Sequence, residues 1–162
     1  MTYEWKLNSI EETHAHAIKC ANAVRQSLAS RQFERIIITL DGDLGAGKTE
    51  WVRGFMSGLG PGREADVSSP TYSIVQVYDG EPNVRHLDLY RLIGWDDLEG
   101  IGYRDIFYAP GVTLVEWMSN IEEAAPEERI EVFIQVISES ERKISVTPHS
   151  EVLTAWAHAV WT

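Results

Sequence analysis

The stretch Gly42-Asp43-Leu44-Gly45-Ala46-Gly47-Lys48-Thr49 decides the fold. It matches the pattern G-x-x-x-x-G-K-[ST], in which glycines let backbone N–H groups converge on phosphate oxygens at the start of a helix. We expect Lys48 to reach the β- and γ-phosphates as a point charge, and the Thr49 hydroxyl to be a ligand of Mg²⁺. The residues expected to hold the phosphates of ATP are Asp43, Leu44, Gly45, Ala46, Gly47, Lys48 and Thr49.

The segments on either side of this loop have the periodicity that the motif requires. Arg35 to Leu40 contains three consecutive isoleucines, which indicates a buried central strand rather than an alternating edge strand. From Lys48 the apolar residues recur at helical spacing and stop at Gly60-Pro61, a typical helix end. The order strand, glycine loop, helix is therefore predicted from the sequence.

The rest of the chain alternates between strand and helix patterns. A capping box at Ser9 and Glu12 predicts the start of a first helix. We expect strands at Tyr3–Leu7 and Val112–Trp117, hairpins at Tyr72–Tyr78 with Val84–Leu92 and at Arg129–Ile137 with Lys143–Thr147, and helices at Asp96–Ile101 and Glu151–Trp161. The predicted class is α/β, a P-loop NTPase-like mixed central sheet, parallel and antiparallel, flanked by helices.

Length, composition and charge limit the choice of function. The 162 residues predict a single domain, 1–162, and the absence of a leader pattern or a long apolar run predicts a cytoplasmic protein without membrane contact. The formal net charge of −11 disfavours direct binding of nucleic acid, because a phosphate backbone would be repelled.

A P-loop needs a second acid to position Mg²⁺, and two residues are candidates. Glu116 closes a hydrophobic run, where a buried carboxylate without a cation would be costly, although a surface position is the alternative. Asp88 lies in an alternating segment, and this pattern is equally compatible with a role at the metal and with a position on a solvated face. His86 is expected either to pack or to orient Asp88, and Ser68-Ser69-Pro70-Thr71-Tyr72 is consistent with an ordinary turn or a γ-phosphate sensor.

Four blocks together resemble the bacterial TsaE (YjeE) family. They are Asp41 to Thr49, Ser69-Pro70-Thr71-Tyr72, His86-Leu87-Asp88-Leu89-Tyr90-Arg91 and Glu116-Trp117, and their order and spacing also match. The resemblance implies an ATPase that supports the synthesis of threonylcarbamoyladenosine beside the anticodon of tRNA. It further implies a TsaD–TsaB complex as the partner, with tRNA contacted indirectly through that complex.

The same resemblance implies roles for particular residues. Thr49 and Glu116 would be Mg²⁺ ligands, Lys48 the phosphate lysine, Asp88 an essential acid near the γ-phosphate, Thr71 a switch-like sensor and Trp117 the functional tryptophan beside the metal acid. Adenine is expected near Ile10 and Arg142. The chain departs from the family at Glu50, often threonine there, and at Met118, often proline, and Glu50 is expected to lower nucleotide affinity.

Other functions of a P-loop protein make different demands on the sequence. A small-molecule kinase would need an acceptor pocket and a lid with arginines, and neither is evident. A regulatory GTPase is disfavoured because the Asn-Lys-x-Asp pattern is absent. A scaffold with structural ATP remains an alternative. For the ATPase we expect slow hydrolysis in isolation, because no arginine is obviously placed to stabilise transition-state charge. Arg91, beside the Asp88 strand, is the one candidate for that role.

Overall fold

The computed structural model describes residues 1–162, which form seven strands and five α-helices. The strands are β1 (Tyr3–Leu7), β2 (Arg35–Asp41), β3 (Val75–Tyr78), β4 (Val84–Asp88), β5 (Gly111–Glu116), β6 (Arg129–Val136) and β7 (Arg142–His149). The α-helices are α1 (Ile10–Ala29), α2 (Lys48–Leu59), α3 (Trp95–Gly100), α4 (Tyr103–Phe107) and α5 (Glu151–Trp161). Short 3₁₀ helices cover Arg63–Asp66 and Met118–Ala124. None of the helices combines the length and apolar character needed to cross a membrane.

All seven strands belong to one sheet with the order β1-β7-β6-β2-β5-β4-β3. β2 runs parallel to both β5 and β6, and β4 runs parallel to β5. The remaining pairs, β1 with β7, β6 with β7 and β3 with β4, are antiparallel. The predicted mixed α/β sheet is therefore confirmed, with the parallel strands at its centre.

The central strands are apolar on both sides because both faces of the sheet are covered. In β2, Ile36 and Ile38 belong to a large core cluster that includes residues of α1, α2 and α5. Ile37 points the other way and joins a smaller cluster that includes residues of α3, α4 and the Met118–Ala124 helix. The isoleucine run is thus explained by two-sided burial.

Helices α1 and α2 approach each other so closely that α2 needs glycine at the contact. A Cβ atom on Gly54 would lie 2.8 Å from His14 Cα, and one on Gly58 would lie 2.8 Å from Ala21 Cβ. This close approach packs the part of α1 from His14 to Ala21 against the helix that begins at the glycine loop.

Some predicted boundaries are wrong, for local reasons. Tyr72–Ile74 do not extend β3, because Ile74 N donates to Pro70 O at 2.6 Å and closes a turn. Leu89–Leu92 do not extend β4, since Leu92 N donates back to Leu89 O. At the start of α1, Ser9 Oγ accepts from Glu12 N as expected, but the Glu12 carboxylate accepts from Asn8 N at 2.7 Å rather than from Ser9 N.

The buried His16 of α1 contacts α2 and residues near both ends of the chain. Trp51 Nε1 donates to His16 Nδ1 at 3.1 Å, and the His16 ring stacks on Trp161 and meets the edge of Trp5, with centroids 4.8 and 4.6 Å away. Burial, assisted by the charge of Lys19, lowers the pKa of His16 to about 4. The neutral ring is therefore the form that the fold stabilises.

This predicts a loss of stability in mild acid. Between pH 6.5, the ordinary pKa of histidine, and pH 4, His16 binds a proton in the unfolded chain and not in the folded chain. The free energy of unfolding therefore falls as the pH falls over that interval. From about pH 7.5 to about pH 5, His16 should cost the wild type about 2 kcal/mol of unfolding free energy. Urea titrations of wild type and His16→Asn should show this difference in pH dependence. His158→Asn, an exposed histidine of α5, is the control, and equal pH dependence of wild type and His16→Asn would contradict the assignment.

Candidate functional site

The glycine loop joins the carboxyl end of β2 to the first residue of α2. Gly45 and Gly47 have φ angles of +76° and +107°, which side chains rarely adopt, and a Cβ on either would meet nothing within 4 Å. Backbone conformation, not crowding, therefore requires glycine here. The open space above both residues is where a ligand would approach the backbone.

The loop presents a row of backbone donors. Among residues 44–50, Ala46 N alone has an acceptor within the chain, the Asp43 carbonyl at 3.0 Å. The other six N–H groups are free at the N-terminus of a twelve-residue helix. Such an array fits a phosphate group, because it combines unpaired donors with the positive end of the helix dipole.

Lys48 is 6% exposed and held inside the loop. Its Nζ atom donates to Gly42 O at 2.6 Å and Asp43 O at 2.9 Å. Burial lowers the pKa of Lys48, an effect that the negative charges of Glu116, Asp41, Asp88 and Asp43 oppose. One lysine therefore faces several carboxylates, an excess of negative charge that a cation would offset.

Glu116 ends β5 and is 3% exposed, as the sequence predicted for a buried acid. Its Oε2 atom lies 2.6 Å from His86 Nε2, and His86 is fully buried on the neighbouring parallel strand β4. The expectation that His86 orients Asp88 is therefore wrong: it lies against Glu116 instead. A histidine in this position fixes one carboxylate oxygen, and no hydrogen bond within the chain engages Oε1.

Asp88 ends β4 and is 3% exposed, so the solvated alternative is wrong. Its Oδ2 atom accepts from Thr71 Oγ1 at 2.9 Å and from Ser69 Oγ at 3.4 Å. Its Oδ1 atom accepts from Tyr90 N at 2.9 Å. Thr71 is thus tied directly to the acid rather than lying in an unconnected turn.

Trp117 has a φ angle of +61°, a strained value for a bulky residue. This turn directly after Glu116 brings the indole ring over Lys48, with Nζ 4.3 Å from the ring centroid. The same ring contacts Tyr90, with centroids 5.0 Å apart. Trp117 therefore covers the lysine and packs beside the loop that follows Asp88.

These groups line one pocket of about 340 Å³. Its walls are Leu44 to Glu50, Ser69, Thr71, Asp88, Tyr90, Glu116 and Trp117. They converge because β2, β4 and β5 are parallel and end at the same edge of the sheet, with Asp88 and Glu116 in register. No group of three or more His, Cys, Asp or Glu is arranged to hold a metal alone. The Thr49 hydroxyl and Glu116 Oε1 are oxygen atoms of the kind that Mg²⁺ binds, and they would supply only part of its coordination.

Several predicted residues lie outside this pocket. Asp43 is exposed and lines an adjoining cavity of about 280 Å³, while its carbonyl holds Lys48. Ile10 is 58% exposed. Arg142 Nε donates to Ala46 O at 2.9 Å, so it braces the loop. The guanidinium of Arg91 stacks on the exposed ring of Tyr72, 4.2 Å from its centroid, and does not line the pocket.

Sequence reasoning missed three groups that belong to the site. They are His86 as the partner of Glu116, Ser69 as a second donor to Asp88, and Tyr90 as a wall residue. Each lies within three residues of a predicted site residue and inside one of the blocks that carry the family resemblance, and these were the signals that the sequence offered. The pairing of His86 with Glu116 depends on the neighbouring positions of β4 and β5, which the sequence does not reveal.

Comparisons with known proteins identify the family of this chain. The family model described as "Threonylcarbamoyl adenosine biosynthesis protein TsaE" matches residues 7–144. A Bacillus subtilis tRNA threonylcarbamoyladenosine biosynthesis protein TsaE is 44% identical over 112 residues, 68% of each chain. A Treponema pallidum protein of the same name is 34% identical over 70% of this chain and 82% of its own. The crystal structure of Bacillus subtilis YdiB superposes with a TM-score of 0.75 at 30% identity, covering 99% of this chain and 94% of that one. The chain belongs to the TsaE family.

Proposed function

We propose that the chain is a cytosolic, Mg²⁺-dependent ATPase that supports formation of threonylcarbamoyladenosine in tRNA. The names of its relatives support the pathway. One observation carries the ATPase: the free N–H groups of the glycine loop, Lys48, Thr71, Asp88 and Glu116 line the same pocket. This is the set of groups that phosphoryl transfer needs, since its catalysis is mainly positioning and charge stabilisation.

Each residue has a distinct part in this proposal. The loop N–H groups and Lys48 bind the phosphates. Thr49 and Glu116 would hold Mg²⁺, which would supply positive charge to the transferred phosphoryl group. We assign Asp88 to orienting the attacking water, because three donors fix its carboxylate within the pocket. Trp117 excludes solvent from Lys48 and so strengthens its interaction with a bound anion.

We propose that a partner protein accelerates hydrolysis, because the pocket contains little positive charge. Lys48 is the one lysine and no arginine lies among the lining residues. Isolated hydrolysis should therefore be slow, and the TsaD–TsaB complex should accelerate it. The net charge of −11 supports a division of labour in which that complex, not this chain, contacts tRNA.

The test is the fate of the γ-phosphate. Purified protein incubated with ATP and Mg²⁺ should release inorganic phosphate and ADP in equal amounts, and excess EDTA should stop the release. Transfer of the labelled phosphate to an added metabolite would favour the small-molecule kinase instead. Binding of ATP without release, even with partners present, would favour the structural scaffold.

A further inference from the structure

Glu50 connects the nucleotide pocket to a histidine of α1 and an arginine of α2. It follows Thr49 in the first turn of α2 and lines the pocket. Glu50 Oε2 lies 2.8 Å from His14 Nε2 on α1, and Glu50 Oε1 accepts from Arg53 one turn further along α2. Both carboxylate oxygens are thus engaged, one by His14 and the other by Arg53.

Arg53 carries the connection to a second part of the chain. Its other terminal nitrogen donates to Val67 O at 3.3 Å. Val67 is 6% exposed and directly precedes the Ser68–Ile74 segment, which contains Thr71. Glu50 therefore orients the guanidinium that anchors the start of that segment.

The Ser68–Ile74 segment has a second anchor at its far end. Ile74 O accepts from Asp88 N at 2.9 Å, although Ile74 has a φ angle of +66° that is unfavourable for a β-branched residue. Pro70 restricts the backbone between the anchors. A strained, short segment fixed at both ends leaves Thr71 little freedom, so loss of one anchor should release its hydroxyl from Asp88.

We propose that Glu50 is a positioning residue for Thr71, acting through Arg53 and the Val67 carbonyl. It keeps the Ser68–Ile74 segment in the conformation in which Thr71 donates to Asp88. His14 Nε2 lies within hydrogen-bond distance of the same carboxylate from the opposite side, which fixes its orientation. The effect on turnover rests on the proposed ATPase function; the effect on the segment does not.

Alanine substitutions test the connection from Glu50 through Arg53 to Thr71 with two separate measurements, amide exchange and ATP hydrolysis. The variants are Glu50→Ala, Arg53→Ala and the double substitution, with Glu11→Ala in the first turn of α1 as the control. Amide exchange of Ile74 and Val75, which are hydrogen-bonded within the turn, should accelerate about tenfold in either single variant and no further in the double variant. The urea midpoint should stay close to that of the wild type, which separates local release from general destabilisation.

The kinetic readout compares the change in the turnover rate with the change in KM for ATP. Both single variants should lose about tenfold in turnover while KM for ATP changes less than about threefold. The proposal is overturned if Glu50→Ala lowers KM and leaves exchange of Ile74 and Val75 unchanged, because Glu50 would then act by direct repulsion of the nucleotide. If no form of the protein hydrolyses ATP, the proposed function fails, and the exchange data still decide whether Glu50 positions the segment.

Discussion

Replacing Glu116 with glutamine is expected to lower Mg²⁺-dependent ATP hydrolysis by about 10²–10³-fold, the loss typical of removing one preorganised group that stabilises transition-state charge. Glutamine has the same shape and can still accept from His86 Nε2, so the pocket should keep its form. What disappears is the negative charge that we assign to holding the metal. Steady-state phosphate release over a range of Mg²⁺ concentrations measures this effect.

The same substitution should not destabilise the nucleotide-free protein. Glu116 is a carboxylate 3% exposed, and without a bound cation its burial is costly. Glu116→Gln should therefore leave the unfolding free energy unchanged or raise it by about 1 kcal/mol, the usual pattern when a functional group is removed from a strained site. Lower activity with lower stability would instead indicate a structural role.

A matched control for Glu116 lies two strands away. Glu131 on β6 also pairs with a histidine, His149 Nε2 at 3.1 Å, and lies outside the nucleotide pocket. Glu131→Gln should keep hydrolysis within about twofold of the wild type, since surface substitutions away from a site have small effects. Equal losses from both substitutions would contradict the specific role of Glu116.

Asp88→Asn should reduce turnover by about 10²-fold, the lower end of the range for a positioned acid or base. The amide can still accept from Tyr90 N, and the Thr71 hydroxyl can rotate to accept rather than donate. Geometry is therefore largely retained while the charge is lost. Affinity for ADP should stay equal or increase, because one negative charge near the phosphates is removed.

Turnover and ADP titration together test the role of Asp88. The control is Asp97→Asn, whose carboxylate likewise accepts a backbone N–H, from Ile93, outside the pocket. Turnover of Asp88→Asn within about threefold of the wild type would exclude the assigned role. A large loss of ADP affinity would show instead that Asp88 acts in binding.

The sequence predicted those parts of the fold that short-range patterns determine. Three local features follow each other in the sequence and in the structure: the isoleucines of β2, the glycine loop and the apolar face of α2. This order places free N–H groups at the end of a strand. Ser9 caps α1 through its side chain as predicted, which is a local effect. Elements of this kind need no knowledge of the distant chain.

The errors come from local turns that alternation does not predict and from contacts between residues distant in sequence. β4 ends at Asp88 because Leu92 N donates back to Leu89 O and forms a turn, and His86 lies against Glu116 because β4 and β5 are neighbours. Neither fact follows from alternation within β4. The sequence predicts a strand at Ile74 because isoleucine favours strands. In the structure Ile74 has a positive φ, a conformation that local propensity cannot predict because it opposes that preference.

The most direct test of the central claim is ATP hydrolysis by the purified protein with Mg²⁺, alone and with its cognate TsaD–TsaB pair and tRNA, with Glu116→Ala measured in parallel. The account predicts slow release of phosphate by the isolated protein, stimulation by the partners, and loss of the stimulated rate in Glu116→Ala. A rate that the partners leave unchanged, or a stimulated rate that survives Glu116→Ala, would contradict it.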